Sequence, residues 1–119
     1  MSSPWQDPMI DKLCRVLDIN VFRSGLIVSN MANVDTPGYH TKDVDFKSAM
    51  RQAMNEGGDA QMQPASIELQ GLPERPDGND VNIDRESLVL SQTQLQYQMG
   101  VQLIKEEFHR LLTAIKDGN

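Results

Sequence analysis

The chain has 119 residues, which limits it to one domain. Only 39% of the residues are hydrophobic and 5% aromatic, which argues against a large self-contained core. The net charge of −6 argues against a nucleic-acid partner. Between Glu56 and Glu86 there are eight acidic and two basic residues, while the rest of the chain is charge-balanced. This distribution indicates two packed ends joined by a solvated acidic segment.

The first predicted element is a long amphipathic helix. Asp7 suits its N-cap and Pro8 its first helical position. Helical periodicity then continues to about Asn33, with more than one apolar stripe. Its apolar residues include Leu13, Leu17 and Val21. Gly25 lies inside the helix at a cost of about 1 kcal/mol relative to alanine, which a close helix approach and a tolerated weakness explain equally well.

No targeting or membrane segment is predicted. Residues 1–8 lack a basic region followed by an apolar run, so a cleaved secretory signal is not expected. No apolar stretch approaches the roughly 20 residues that span a bilayer. Cys14 is the single cysteine, so an intramolecular disulfide is excluded, and it is interpreted as a small residue on a helix face.

A helix terminator and a turn follow in the string Ala32-Asn33-Val34-Asp35-Thr36-Pro37-Gly38-Tyr39. Asn33 is predicted to end the helix in the left-handed conformation. Pro37 and Gly38 suit the two central positions of a type II turn, in which the glycine has a positive φ. Tyr39 begins an extended segment, and its ring either contacts a neighbouring subunit or packs within the chain.

The middle of the chain is predicted to hold one short helix and a loop-rich segment. Asp45 suits the N-cap of the short helix, and Gly57-Gly58 is expected to end it. The apolar residues of this helix are Phe46, Ala49, Met50, Ala53 and Met54. Residues 57–80 are rich in glycine and proline, which indicates a linker. Ile67 lies in an alternating pattern that predicts one short strand.

The second long helix is predicted to start at Asp84, as its N-cap, and to reach Lys116 before Gly118. Its back half carries an a/d seam with spacings of 4, 3, 4, 3 and 4 residues. The seam consists of Tyr97, Val101, Ile104, Phe108, Leu111 and Ile115. A second apolar stripe, formed by Leu88, Leu95 and Met99, lies on another face.

These elements predict a mainly α fold. The long N- and C-terminal helices are expected to pack as a coiled-coil-like hairpin, with a short middle helix and an irregular, short-stranded middle segment. The boundaries are residues 1–56, 57–83 and 84–119, within a single domain. One apolar seam cannot order so long a helix, because the backbone entropy lost exceeds the free energy of burial. The N-terminal helix is expected to cover one stripe and a neighbouring subunit the other; a self-contained hairpin with a polar outer face is the alternative.

The terminator string resembles the ANxxTPGY motif of the flagellar rod and hook proteins. Asp43-Val44-Asp45-Phe46 and the short chain narrow this resemblance to the FlgB family of proximal rod subunits. Gly78-Asn79-Asp80-Val81 and Leu112-Thr113-Ala114-Ile115 are also similar to that family. Met31 and Val34 are conservative departures from its pattern.

The resemblance implies a structural subunit whose terminal helices pair and then stack into the wall of a tube. It implies a torque-transmitting rod in the periplasmic space, reached by type III export without a cleaved signal peptide. The implied partners are copies of the chain, other rod subunits, the rod-base adaptor protein and the export gate. The resemblance assigns the family motif to Ala32, Asn33, Thr36, Pro37, Gly38, Tyr39, Asp43, Asp45 and Phe46. Assembly and packing are assigned to the seam residues named above together with Leu13, Leu17 and Val21.

No catalytic, cofactor or metal site, and no small-molecule substrate, is predicted. His40 and His109 are far apart in the sequence and have no ligand cluster. Asp43 and Asp45 are compatible with a metal or acid–base pair, but a loop followed by a helix N-cap explains them more simply. A soluble helical chaperone or adaptor that binds partner helices is the competing function. A hydrolase or metal enzyme is a distant third.

Overall fold

The computed structural model describes residues 7–55 and 64–118. The predicted mainly α fold, with two long helices and a short middle helix, is confirmed, and the described middle segment also forms a small two-stranded sheet. The elements in chain order are α1 (Pro8–Ala32), β1 (Lys42–Val44), α2 (Phe46–Met54), β2 (Ser66–Glu68) and α3 (Ile83–Asp117). The molecule is elongated, with extents of 68 × 26 × 18 Å. No helix within the described ranges is long and apolar enough to cross a bilayer.

In each long helix the N-cap is the residue whose side chain accepts a hydrogen bond from an amide of the first turn. Asp7 caps α1 as predicted, because its carboxylate accepts hydrogen bonds from the amides of Met9 and Ile10. The predicted cap of α3 was wrong. Asn82, which has extended backbone angles, is the N-cap, and its side-chain oxygen accepts from the amide of Arg85. Asp84 lies in the first turn, where an acid favours the positive end of the helix dipole.

The turn after α1 is confirmed, but its cap differs from the prediction. The amide of Tyr39 donates to the carbonyl of Thr36 (3.2 Å), and Gly38 has a φ of 75°. Asn33 is not left-handed: its φ is −103° and its ψ is 17°. Its side-chain Nδ2 donates to the carbonyl of Ser29 at 2.8 Å. Because this bond satisfies a terminal carbonyl, the helix ends without a left-handed residue.

A small core lies where α1 meets the middle of the chain. β1 and β2 pair antiparallel with Asp43 opposite Ile67, so the strand predicted around Ile67 is confirmed. Asp45 caps α2 as predicted, and the helix ends at Met54. The Gly57-Gly58 terminator lies outside the described residues. The core consists of Ile19, Val44, Ala49 and Ala53, with Phe22, Leu26, Phe46 and Met50 packed against it.

The two long helices form an antiparallel hairpin. The end of α1 meets the start of α3, where Asn30 contacts Glu86. Leu17 lies against Gly100, in the middle of the hairpin. We call residues 19–55 and 64–93, with the small core, sheet and turns, the head. The remaining hairpin, residues 8–18 and 94–117, is called the arm.

Candidate assembly surfaces and the joint between the helices

Two distant segments interlock beside the end of α1. Residues 36–41 contact residues 77–81, and we call this contact the clasp. Asn79 is fully buried, and its Nδ2 donates to the carbonyls of Asn33 (2.9 Å) and Thr36 (2.8 Å). The amide of Gly38 donates to the carbonyl of Asp77 at 2.8 Å. A Cβ on Gly78 would lie 3.4 Å from the Cα of Gly38, and both glycines have a positive φ, so the clasp requires glycine on each side.

The second half of the clasp is built around Asp80. Its carboxylate accepts from the amide of Thr41 (2.6 Å) and from the Thr41 hydroxyl (2.7 Å), and it lies 3.3 Å from His40 Nδ1. Burial raises the pKa of Asp80, but the hydrogen bonds from Thr41 and His40 outweigh burial and leave that pKa below its usual value. The hydrogen bond to Asp80 raises the pKa of His40. The clasp is therefore an electrostatic as well as a hydrogen-bonded contact.

A buried network of charges joins α1, β1 and α3, and we call it the joint. Arg23 on α1 holds Asp43 on β1 through two hydrogen bonds, of 2.9 and 3.0 Å. Arg85 lies 3.6 Å from Asp43 and 2.7 Å from Glu86. Glu86 is fully buried and also accepts from Asn30 Nδ2 at 3.0 Å. Two positive and two negative charges thus tie α1, β1 and α3 together.

The joint also includes residues of the turn motif. The Tyr39 hydroxyl donates to Asn30 Oδ1 at 3.2 Å, and its ring lies 5.8 Å from the ammonium group of Lys42. Tyr39 therefore has partners within its own chain. Asp45 acts as the predicted N-cap, accepting from the amide of Ser48, whereas Asp43 is a buried, ion-paired residue of β1. Within the described ranges, no group of three or more His, Cys, Asp or Glu side chains is arranged to hold a metal ion.

The hairpin seam is offset from the predicted one. Val101, Ile104 and Leu111 are half-buried, as are Leu13 and Leu17 on α1. Tyr97, Phe108 and Ile115 are 40%, 43% and 49% exposed. Val21 is 57% exposed and lies on the outer face of α1, away from the half-buried residues of the hairpin, so its predicted packing role would require another molecule. The offset arises because the most buried positions of α3 are Glu86, Val89, Thr93 and Gly100, and the predicted seam lies beside that line.

Sequence reasoning missed several buried residues on the facing sides of the two long helices. Polar residues on a helix face are usually exposed to solvent. Asn30, Glu86 and Thr93 are polar but fully buried. Gly100 is a helical glycine, and a Cβ there would lie 2.7 Å from Leu17 Cδ2. Asn79 lies within the Gly78–Val81 string, and the similarity of that string to the family was the sequence signal available for this position. No comparable signal marks Glu86, because its partner Asn30 is on the other long helix.

The outer faces of both long helices carry apolar side chains. Leu88, Leu95 and Met99 are 59%, 58% and 57% exposed, so the predicted second stripe does lie on another face of α3. On α1, Val21 and Val28 are each 57% exposed. These faces cover nothing within the described chain and form the candidate assembly surfaces.

Comparison with known proteins gives a family. No protein-family model matches the sequence. The chain is 30% identical, over an alignment 138 positions long, to the flagellar basal body rod protein FlgB of Escherichia coli K12, and the alignment covers 93% of this chain and 100% of that protein. It is 29% identical to FlgB of Salmonella typhimurium, covering 87% and 89% of the two chains, and 27% identical to FlgB of Bacillus subtilis, covering 78% and 81%. The chain, with its long helical hairpin and its Thr-Pro-Gly-Tyr turn, therefore belongs to the FlgB family of flagellar basal body rod proteins.

Proposed function

We propose that this chain is a structural subunit of the proximal rod of the bacterial flagellum, the shaft that transmits torque through the periplasmic space. The observation that carries this function is the family match over nearly the whole chain, in a molecule whose long helices expose apolar faces. A torque-bearing subunit needs a stiff body and lateral contacts. The joint supplies the stiffness and the outer faces supply the contacts. The function needs no catalytic group or cofactor.

The proposed assembly begins after type III export without a cleaved signal peptide. The terminal helices then pack with copies of this chain, with other rod subunits, and with the rod-base adaptor protein beside the export gate. The motif residues from Ala32 to Phe46 have a positioning role in this proposal, because the clasp and the joint hold the turn against α3. The half-buried arm residues Val101, Ile104 and Leu111, together with Leu13 and Leu17, keep the hairpin closed.

The proposal is tested by an in-frame deletion of the gene, complemented by an intact, epitope-tagged copy. We expect the deletion strain not to swim and to lack rods and hooks under the electron microscope. The tagged copy should restore both and be recovered in purified hook–basal bodies. Restored swimming with the tagged protein absent from those bodies would favour a chaperone or adaptor instead. Normal swimming of the deletion strain would refute the proposal.

A further inference from the structure

A groove opens between the two long helices at the end of the arm that is farthest from the head. It has a volume of about 330 Å³. Two of its apolar side chains, Met9 on α1 and Leu103 on α3, are 52% and 49% exposed. Concave sites that combine apolar side chains with a few polar groups are typical of surfaces that bind an apolar group. The groove is lined by Met9, Leu13, Leu103, Glu106, Glu107 and Arg110.

The chain enters α1 at the edge of this groove. Asp7, the N-cap, has extended backbone angles, and its carboxylate accepts from the amide of Met9 at 2.7 Å. Glu107 raises the pKa of Arg110, and the carboxylate of Asp7 adds to this effect, so Asp7 lies near Arg110. Residues 1–6 therefore join the helix beside Met9 and Arg110, which both line the groove.

The residues that precede Asp7 include a large apolar side chain. Trp5 is the single tryptophan of the chain. Residues 1–6, which lie outside the described residues, contain no charged side chain. A tryptophan buries roughly 150–250 Å² when it packs, and its indole N–H needs an acceptor when it is buried. An uncharged segment with one tryptophan therefore suits an apolar groove that has carboxylates at its edge.

The length of chain between Trp5 and the helix restricts Trp5 to this end of the arm. Only Gln6 separates Trp5 from Asp7, so the Cα atoms of Trp5 and Asp7 lie within about 7 Å of each other. Met9 and Leu13 are one turn apart, about 6 Å along α1. The indole can therefore reach the groove by folding back over the first turn, as the apolar residue of a hydrophobic staple does.

Two other exposed apolar surfaces of α3 fit Trp5 less well. Leu95, on the outer face, lies about 22 Å along the helix from Arg110, which is beyond the reach of the indole. Leu112 and Ile115 are closer, but they follow Arg110 on the part of α3 that extends past the start of α1. A single helix contacts an indole ring on one side, whereas a groove between two helices contacts it on both.

The edge of the groove offers partners for the ring and for its N–H. Arg110 is 68% exposed and donates two hydrogen bonds to Glu107, of 2.6 and 3.1 Å, which hold its guanidinium in place. A guanidinium stacks favourably on the face of an indole. The carboxylates of Glu106 and Glu107 supply acceptors for the indole N–H. The groove thus suits the polar atom of a tryptophan as well as its apolar ring.

We propose that Trp5 docks in this groove of its own chain, between Met9 and Leu103. The contact ties the start of α1 to α3 at the end of the hairpin that is farthest from the clasp and the joint. A linker of one residue gives Trp5 an effective concentration on the order of 1 mM or more at the groove, so it outcompetes a second copy of the chain. The inference concerns the free chain and does not depend on the proposed rod function.

Fluorescence of the purified full chain tests the proposal, because Trp5 is the single tryptophan. The emission should lie at shorter wavelength than that of N-acetyltryptophanamide, and acrylamide should quench it several-fold less. Leu103→Gln removes an apolar wall of the groove and should return both properties to those of an exposed indole. Leu95→Gln is the matched control, since Leu95 is a leucine of α3 that is 58% exposed and beyond the reach of Trp5. It should leave both properties unchanged.

Nuclear magnetic resonance provides a second test that needs no substitution in the groove. In a chain with labelled methionine and leucine methyl groups, the indole protons of Trp5 should show Overhauser cross-peaks to Met9 and Leu103. They should show none to Leu95 or Leu112. Circular dichroism of the Leu103→Gln and Leu95→Gln chains should give equal helix content, which shows that a change in emission is not caused by unfolding of the arm.

Three results would overturn the inference. The first is emission and quenching of the intact chain equal to those of N-acetyltryptophanamide. The second is short-wavelength emission that Leu103→Gln leaves unchanged, or indole cross-peaks to Leu112 in place of Leu103, because Trp5 would then pack elsewhere. The third is short-wavelength emission that is lost on dilution, which would identify a second copy as the partner of Trp5. The rod function is tested separately by the deletion strain.

Discussion

The head and the arm of this molecule use opposite means of holding their helices. In the head, fully buried Glu86, Asn30 and Asn79 bind partners from distant parts of the chain. In the arm, the helices meet through half-buried apolar residues, while Leu95 and Met99 remain largely exposed. The head therefore has one specific geometry, because a misplaced buried polar group loses its partners. The arm has less to hold it in the free chain and more surface to offer.

This difference suits a rod component that combines a fixed internal geometry with exposed apolar surfaces for contact with other molecules. A buried polar network specifies an angle between elements, whereas an apolar stripe supplies contact area with little directional preference. The head would hold the two long helices in one arrangement, and the outer faces would contact other molecules. Substitutions in the head and on the outer faces should therefore affect folding and assembly differently.

The largest effect on folding is expected at the joint. Glu86→Ala leaves Arg85 with one fewer anion and Asn30 Nδ2 without its carboxylate acceptor, in a fully buried position. We expect a loss of about 3–5 kcal/mol in the free energy of unfolding. The control Glu106→Ala, on the exposed face of the arm, should change it by less than about 0.5 kcal/mol. Urea unfolding followed by circular dichroism measures both, and similar losses would contradict the division into head and arm.

The next effect is expected where the arm begins. A leucine at Gly100 would collide with Leu17, whose Cδ2 already lies 2.7 Å from an added Cβ. Gly100→Leu should therefore lower stability by about 1–3 kcal/mol. Gly100→Ala should change it by less than about 1 kcal/mol, because a rotation of the Leu17 side chain relieves the contact and alanine favours the helix. Thermal melts distinguish the two, and equal melting temperatures would show that α1 does not approach α3 this closely.

How much of this was predictable from the sequence depends on the range of each interaction. Asp7, Asp45 and the Pro37-Gly38 turn act on residues within four positions, so their roles follow from local pattern. Asn33 and Asp84 were assigned to the right helix ends but with the wrong details, since a neighbouring side-chain bond can replace a left-handed residue or a cap. The local pattern predicts where an element ends more firmly than how it ends.

The joint could not be predicted in the same way. Glu86 and Asn30 are 56 residues apart, and each taken alone has the pattern of a solvated helix position. The offset of the seam had the same origin. A heptad pattern ranks positions by apolar side chains, whereas α1 approaches α3 closely at Gly100, which has no side chain to rank.

A smaller, pH-dependent effect is expected at the clasp. The raised pKa of His40 means that its contribution is full below its ordinary value of 6.5 and is lost as the pH rises through the raised value. The lowered pKa of Asp80 means that its contribution is present above 3.8 and is lost as the pH falls through the lowered value. The clasp should therefore be strongest between these two ordinary values. Glu74, 3.9 Å from His40, has the same sign as Asp80 and favours the protonated imidazole.

We expect His40→Gln to lower the urea midpoint more at about pH 5.5 than at about pH 8.5. His109→Gln provides a matched control, because His109 is an exposed histidine of the arm. It should give no such difference between the two pH values. A pH-independent loss at His40 would mean that the ring packs against the turn without charge.

The smallest effect on folding is expected on the outer face of α3. A small effect there would show that its apolar side chains contribute little to the stability of the free chain. Leu95 is 58% exposed, so Leu95→Gln should change the free energy of unfolding by less than about 0.5 kcal/mol. Val89 on the same helix is 8% exposed, and Val89→Ala should lower stability by about 2 kcal/mol. Urea unfolding of both purified variants measures the contrast. If Leu95→Gln were as destabilising as Val89→Ala, the outer face would belong to the folded monomer, and its apolar residues would need no partner. If the free chain tolerates Leu95→Gln while the rod does not, the stripe is maintained for contact with another molecule, because its side chains contribute little to the fold that displays them.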